Sequence, residues 1–149
     1  MPDVLFHPKF ASQYEALAAQ AERSDQLMEL FGEVSALLRA LEDFGHGIEG
    51  HQPGDASHPI VTSRFETYAL RRTPPTNFTP YAYTPPVLRI PYVWFSTDTK
   101  DIAVVMLAGD KAGLNYDWYP GIVKQIEGTM IPEWQHHNPT HKAKVRRTR

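Results

Sequence analysis

The chain has 149 residues, of which 42% are hydrophobic and 11% aromatic, and this predicts a single domain that buries about two-thirds of its unfolded surface. It contains no cysteine, which excludes disulfides, thiolate nucleophiles and thiolate metal sites. The net charge is −2, but the acids are concentrated before residue 56, whereas four arginines from Arg64 to Arg89 accompany one acid and the last nine residues carry five bases. This uneven charge permits a local anionic partner.

The sequence gives no sign of a targeting or membrane segment. The first ten residues lack a cationic stretch followed by a sustained apolar one. Nor does any uncharged apolar run approach the roughly 20 residues that cross a bilayer. We therefore expect a cytoplasmic protein with no membrane partner.

The first third of the chain predicts one strand and a helical hairpin. Residues 3–7 form a short apolar strand. Apolar residues recur at helical spacing over 10–22, and Ser24 is a typical N-cap for a second helix that ends at Gly45. We expect the apolar faces of the two helices to pack on a sheet.

The middle of the chain predicts three strands separated by loops. Residues 45–59 are rich in Gly, Pro and His, as in a loop. A strand follows over 64–72, and then five prolines within 73–86 predict a long irregular excursion. Two further strands, 87–96 and 101–109, are joined as a hairpin. Pro91 lies inside the former and indicates a sheet edge or a bulge.

Residues 116–127 predict a last helix, and the basic segment 136–149 is expected to be disordered. The fold class is therefore α+β: a small, mostly antiparallel sheet packed against an N-terminal helical hairpin and a C-terminal helix. The predicted domain covers 1–135, with the Pro-rich insertion at 73–86.

Basic and aromatic residues gather around the predicted strand ends, and they form the best candidate for a functional site. Alternate residues of a strand share a face, so Arg71 and Arg89 can lie side by side, with Lys111 beyond the end of the next strand. Guanidinium groups match the oxygens of a phosphodiester. Alternatively, these arginines solvate an open sheet face or pair with Glu66 and Asp110.

Two common classes of active site are excluded by spacing. The "AGDKAG" segment lacks the Gly-x4-Gly-Lys-Ser/Thr pattern of phosphate-loop NTPases. The chain also has no Gly-x-Ser-x-Gly nucleophile elbow. The histidines near the C-terminus lack the matching carboxylate spacing of a metal site.

A family resemblance gives the arginines a role. The succession "DVLFHPKFASQYEAL", "TYALRR", "VLRIPYVWFSTDTKDIAVVMLAGDK" and "WYPGIVKQIE" resembles the RelE/HigB superfamily of toxin–antitoxin toxins, particularly a longer branch in which Gly-Asp-Lys is followed by Trp-Tyr. The resemblance extends over about residues 3–127. It implies a RelE-like fold and a ribosome-dependent messenger-RNA endonuclease that arrests translation. It also implies a cognate antitoxin, often a helix-turn-helix DNA-binding protein, and a reaction that needs no metal or cofactor.

The same resemblance assigns the candidate residues. It implies catalytic roles for Arg71, Arg89, Lys111 and Tyr119, with the two arginines on the scissile phosphate. Further candidate RNA contacts are Arg64, Arg72 and Tyr116. The Pro-rich excursion is longer than the turn that the family commonly has there, and the basic tail has no family counterpart.

Other functions remain open for a chain with this fold. Relatives of the ParE group inhibit DNA gyrase and cut nothing, so the fold alone does not determine activity. The chain could also be a catalytically degenerate relative that only binds its antitoxin. A phage-derived structural or adaptor domain is a third possibility.

Overall fold

A computed structural model describes residues 3–50, 57–71, 88–110 and 118–146. The α-helices are α1 (Pro8–Ala21), α2 (Asp25–Phe44), α3 (Trp118–Gln125) and α4 (Ile131–His137). The strands are β1 (Asp3–Phe6), β2 (Ser57–Pro59), β3 (Thr67–Arg71), β4 (Leu88–Ser96), β5 (Asp101–Val105), β6 (Gly109–Asp110) and β7 (Lys142–Ala143). None of the helices in these ranges is long and apolar enough to cross a membrane.

The seven described strands form one mixed sheet. Its main order is β1-β5-β4-β3-β2, and β6 and β7 pair with the first and last residues of β4. The β1–β5 pair is parallel and the other pairs are antiparallel. The predicted class, α+β with a small and mostly antiparallel sheet, is confirmed.

Strand β4 lies at the centre of the molecule, with both faces covered. Tyr92 and Trp94 pack with the α1–α2 hairpin on one face, whereas Val93 and Phe95 pack with the C-terminal helices on the other. Because neither face meets water, the strand is a nearly continuous apolar run rather than an alternating one. The result is three layers: helical hairpin, sheet and C-terminal helices.

Helix α2 begins and ends where the sequence predicts. The Ser24 hydroxyl oxygen accepts a hydrogen bond from the Leu27 N–H at 3.4 Å. Gly45 follows the last turn with a φ of 54°, a left-handed conformation that favours glycine, and its N–H donates to the Leu41 carbonyl. Between these caps, the apolar face of the helix buries Leu38 and Leu41 against the sheet.

Pro91 lies opposite a bulge, which was one of the two predicted alternatives; the sheet-edge alternative is wrong. Tyr92 pairs with Val105, and Arg89 pairs with Gly109, so two residues of β4 oppose three residues between β5 and β6. The Pro91 carbonyl accepts a hydrogen bond from the Met106 N–H at 2.9 Å. The proline nitrogen, which has no hydrogen, faces the same side, where the ladder between β4 and β5 is interrupted. A bulge tolerates that missing donor.

The predicted loop 45–59 contains two regular elements that sequence reasoning missed. Gly45–Gly50 is a 3-10 helix, and β2 pairs with β3. The Ser57 hydroxyl is 2.8 Å from the Tyr92 hydroxyl, which ties the short strand to the core. Such a strand is specified by its partner rather than by its own composition.

The C-terminal helix is longer than predicted, since the helical path continues to His137 rather than ending near residue 127. A π-helical stretch, Ile126–Met130, joins α3 to α4. Pro132 has no N–H to bond back to the Gly128 carbonyl, and a local change of helical pitch accommodates that loss. Ile126 and Met130 are buried on the sheet, so packing holds the stretch helical despite glycine and proline.

The expectation that 136–149 is a disordered tail is wrong for its described part, 136–146. The segment begins in α4, and Lys142 and Ala143 then pair with the end of β4. The ammonium group of Lys144 lies 2.8 Å from an Asp101 carboxylate oxygen and 3.7 Å from one of Glu66. These partners are remote in sequence, so composition alone suggested a solvated tail.

Candidate active site

Two arginines lie on adjacent strands at the same level of the sheet. Arg71, the last residue of β3, pairs directly with Arg89, the second residue of β4. Because alternate residues share a face, both lie on the face of Ala69, which packs with α3. The sequence predicted that these arginines can lie side by side, and the register confirms it.

Helix α3 brings Tyr119 to this pair. Val123, one helical turn after Tyr119, packs with Ala69 of β3 and with Ile60, which follows β2, and the Tyr119 ring lies partly buried against the same cluster. The Arg89 side chain lies close enough to the Tyr119 hydroxyl to lower its pKa. The two predicted residues therefore meet in the structure.

His58 is a site residue that sequence reasoning missed. It pairs with Ala69 on β3, so it shares the face of the arginines, and its ring centroid lies 6.1 Å from that of Tyr119. Its Nε2 is 3.4 Å from the Tyr119 hydroxyl oxygen, and its Nδ1 is 3.2 Å from the Pro59 carbonyl oxygen. The sequence shows only a histidine between Ser and Pro in a predicted loop, and this does not indicate which way the side chain points.

Burial and charge act on Tyr119 in opposite directions. Removal from water raises the pKa of the Tyr119 hydroxyl, and the positive charges of Arg89 and Arg71 lower it without cancelling the effect of burial. The net pKa lies above the usual value for tyrosine. At neutral pH the phenol therefore keeps its proton and can donate it.

Arg64 lies away from this cluster. It precedes β3, whereas Arg71 ends it, and the strand from Thr67 to Arg71 alone spans about 13 Å. The Arg64 guanidinium is 3.2 Å from a carboxylate oxygen of Glu127, and 74% of its side chain is exposed. The structure thus separates this candidate RNA contact from the Arg71–Arg89 pair.

The remaining candidates lie outside the described residues. They are Lys111, Arg72 and Tyr116, together with the Pro-rich insertion 73–86. The described chain reaches Asp110, whose backbone pairs with Leu88, and the preceding Gly109 pairs with Arg89. The roles given to these residues stay predictions.

The described groups combine charge, a proton donor and a proton acceptor on one face. Arg71 and Arg89 can hold the oxygens of a phosphate ester, and Tyr119 and His58 supply a phenol and an imidazole. No group of three or more His, Asp and Glu side chains within the described ranges is arranged to hold a metal ion. Comparison with known protein families, curated proteins and solved structures finds no match to this chain.

Proposed function

We propose that the protein is a RelE/HigB-like toxin, a metal-independent endoribonuclease that cleaves messenger RNA on the ribosome and arrests translation. The observation that carries the proposal is the direct pairing of Arg71 with Arg89, together with the closeness of the Arg89 side chain to the Tyr119 hydroxyl. Two guanidinium groups on opposed strand positions make a local positive potential that favours a bound anion. A proton donor beside that potential suits phosphate-ester cleavage better than simple binding.

The proposed reaction uses the RNA's own nucleophile. The 2′-hydroxyl of one nucleotide attacks the adjacent phosphorus, leaving a 2′,3′-cyclic phosphate and a free 5′-hydroxyl. Negative charge grows on the non-bridging oxygens as the bond forms. The positive charges of Arg71 and Arg89, already in position, stabilise it. The protein must also orient the nucleotide and transfer protons.

Tyr119 and Lys111 have secondary roles in this proposal. The raised pKa of Tyr119 keeps the phenol protonated, so it can donate to the leaving 5′-oxygen or stack on a base. Lys111 follows Asp110 of β6 in the chain. It is assigned to charge stabilisation or proton transfer.

The proposal includes partners and a location. A toxin of this kind works in the cytoplasm on ribosomes and messenger RNA, and a cognate antitoxin, often a helix-turn-helix DNA-binding protein, neutralises it. A small helix-turn-helix protein encoded next to this chain would support the assignment. The acidic α1–α2 hairpin covers the sheet face opposite the arginines, so an antitoxin could bind there without filling the active site.

Expression in bacteria, followed by mapping of RNA 5′ ends, tests the proposal. The expected result is translation arrest with new 5′-hydroxyl ends inside coding sequences. A gyrase supercoiling assay on the purified protein runs beside it, since a ParE-like toxin lowers supercoiling and makes no new RNA ends. Growth without arrest, or arrest without new ends, contradicts the nuclease assignment.

A further inference from the structure

A chain of three polar groups crosses the candidate site. The Arg89 side chain lies close to the Tyr119 hydroxyl, and that hydroxyl oxygen is 3.4 Å from Nε2 of His58. His58 Nδ1 lies 3.2 Å from the Pro59 carbonyl, which can only accept, so Nδ1 carries the proton and Nε2 has the lone pair. The basic nitrogen therefore points into the site.

We propose that His58 is the general base of the RNA cleavage, an assignment that rests on the proposed function. Its Nε2 takes the proton from the attacking 2′-hydroxyl. The present contact with Tyr119 lies at the long end of hydrogen-bond distances, so a substrate hydroxyl can replace it at little cost. His58 is only partly buried, which leaves the ring accessible.

The protons and bonds balance over one turnover. The 2′-oxygen–phosphorus bond forms and the bond from phosphorus to the 5′-oxygen breaks. One proton moves from the 2′-hydroxyl to His58 Nε2, and another moves from the Tyr119 hydroxyl to the leaving 5′-oxygen. Transfer from His58 back to the Tyr119 phenolate, across their direct contact, then restores both groups.

The other described side chains of the site do not suit the role of base. The guanidinium groups of Arg71 and Arg89 offer only hydrogen-bond donors and no acceptor. Burial keeps the phenol of Tyr119 protonated as well. Imidazole changes its charge between pH 5 and 8, which is the range that a general base needs.

Among the described residues, the charged and titratable groups that lie near His58 come from three elements. Tyr119 faces it from α3, and Arg71 and Arg89 lie on the same sheet face from β3 and β4. The 3-10 helix also packs against β2, but its His46 stacks on Trp94 on the opposite face.

The test compares His58→Gln with Tyr119→Phe in single-turnover cleavage of messenger RNA on programmed ribosomes. With an ordinary substrate both variants should be slower by about 10²–10⁴-fold. A second substrate carries sulfur in place of the leaving 5′-oxygen, and a thiolate leaves without a proton. That substrate should restore the rate of Tyr119→Phe but leave His58→Gln slow.

The pH profile gives an independent readout. The wild-type rate should rise as the pH increases through the imidazole range, and His58→Gln should lose that rise. Lys111→Ala should be slower but keep it. His137→Gln, a change of an exposed histidine on α4, is the matched control and should behave as wild type.

Three results overturn the inference. One is a His58→Gln enzyme with wild-type rate and pH profile; another is loss of the pH-dependent rise in Lys111→Ala instead. The third is rescue of His58→Gln by the sulfur substrate, since that would make His58 a residue that only positions Tyr119. If wild-type protein cleaves no RNA, the proposed function itself fails, which is a different outcome from any of these. Circular dichroism and thermal unfolding of His58→Gln separate misfolding from a lost base.

Discussion

Arg71 lies directly opposite Arg89 across the β3–β4 ladder, on the sheet face that α3 covers. Like charges on directly opposed strand positions repel each other, so this pair does not stabilise the sheet. It is well suited to hold an anion whose charge increases during reaction. This relationship is the basis of the predictions about function, and the ion pairs elsewhere in the fold give the predictions about stability.

Arg89→Ala should abolish translation arrest in cells and slow RNA cleavage by about 10²–10³-fold, because one of the charges on the scissile phosphate is removed. Arg89 lies at the start of β4 rather than in its buried middle, so the fold should persist. Growth after induction and thermal unfolding of the purified variant measure the two effects.

The matched control for that variant is Arg39→Ala, which removes an exposed arginine from α2 on the other side of the sheet. It should arrest growth as wild type does. An Arg89→Ala protein that remains folded and equally toxic would falsify the nuclease assignment.

Lys144→Ala should lower the free energy of unfolding by about 1 to 2 kcal/mol, because it leaves Asp101 and Glu66 without their shared cation. Lys142→Ala, two residues earlier and exposed, should change stability by less than about 0.5 kcal/mol. Urea unfolding of both variants makes the comparison. Equal, negligible effects would mean that the C-terminal segment is not held on the sheet in solution.

Acid should weaken the fold through Asp101. Partial burial alone would raise the pKa of this carboxyl, but hydrogen bonds from Lys144 and His46 outweigh burial and hold the pKa below its usual value of 3.8. The unfolded chain therefore binds a proton more readily than the folded one, and the stabilisation disappears as the pH falls through the folded-state pKa.

Asp101→Asn tests that pH dependence. The variant should be less stable than wild type at pH 7, and the difference should shrink as the pH is lowered below about 4. Urea unfolding at several pH values measures it. A difference that stays constant down to pH 3 would show that the carboxylate charge contributes nothing.

Glu127→Ala should cost about 1 to 3 kcal/mol, because this carboxylate accepts from the Arg64 N–H at 2.7 Å, the Ser63 hydroxyl at 3.0 Å and the Arg64 side chain. The Glu127 side chain is only 17% exposed, so in the variant water poorly replaces the lost carboxylate as the acceptor for these donors. Arg64→Ala removes only the exposed partner and should cost less than about 1 kcal/mol. Thermal unfolding ranks the two variants. The reverse order would contradict the assignment of the Glu127 carboxylate as the main contributor to stability at this position.

Periodicity and caps predicted the parts of the fold that carry local signals. The α1–α2 hairpin, with its Ser24 and Gly45 caps, and the three longer strands follow from spacing and turn residues. β2 and β7 have three and two residues, so no periodic pattern can develop in them. Their pairing with β3 and β4 depends on residues far away in the chain, which a local reading does not contain.

The candidate site was predictable to the same extent. Alternation along β3 and β4 predicted that Arg71 and Arg89 share a face, which needed only the correct register. His58 could be recognised only once β2 was known, because the pairing of His58 with Ala69 decides on which face of the sheet the side chain lies. The separation of Arg64 likewise depends on Glu127, which a helix more than 60 residues away supplies.

Attack of the RNA 2′-hydroxyl at the Arg71–Arg89 pair is tested most directly with purified protein, programmed ribosomes and a messenger RNA that has a single 2′-deoxynucleotide at the mapped cleavage position. If Arg71 and Arg89 hold a phosphate that the 2′-hydroxyl attacks, the all-ribose message yields a 2′,3′-cyclic phosphate and a 5′-hydroxyl. The deoxy-substituted message then stays intact at that position while still binding. Cleavage of the deoxy-substituted message at the same rate, or wild-type cleavage by an Arg71→Ala, Arg89→Ala double variant, would contradict the account.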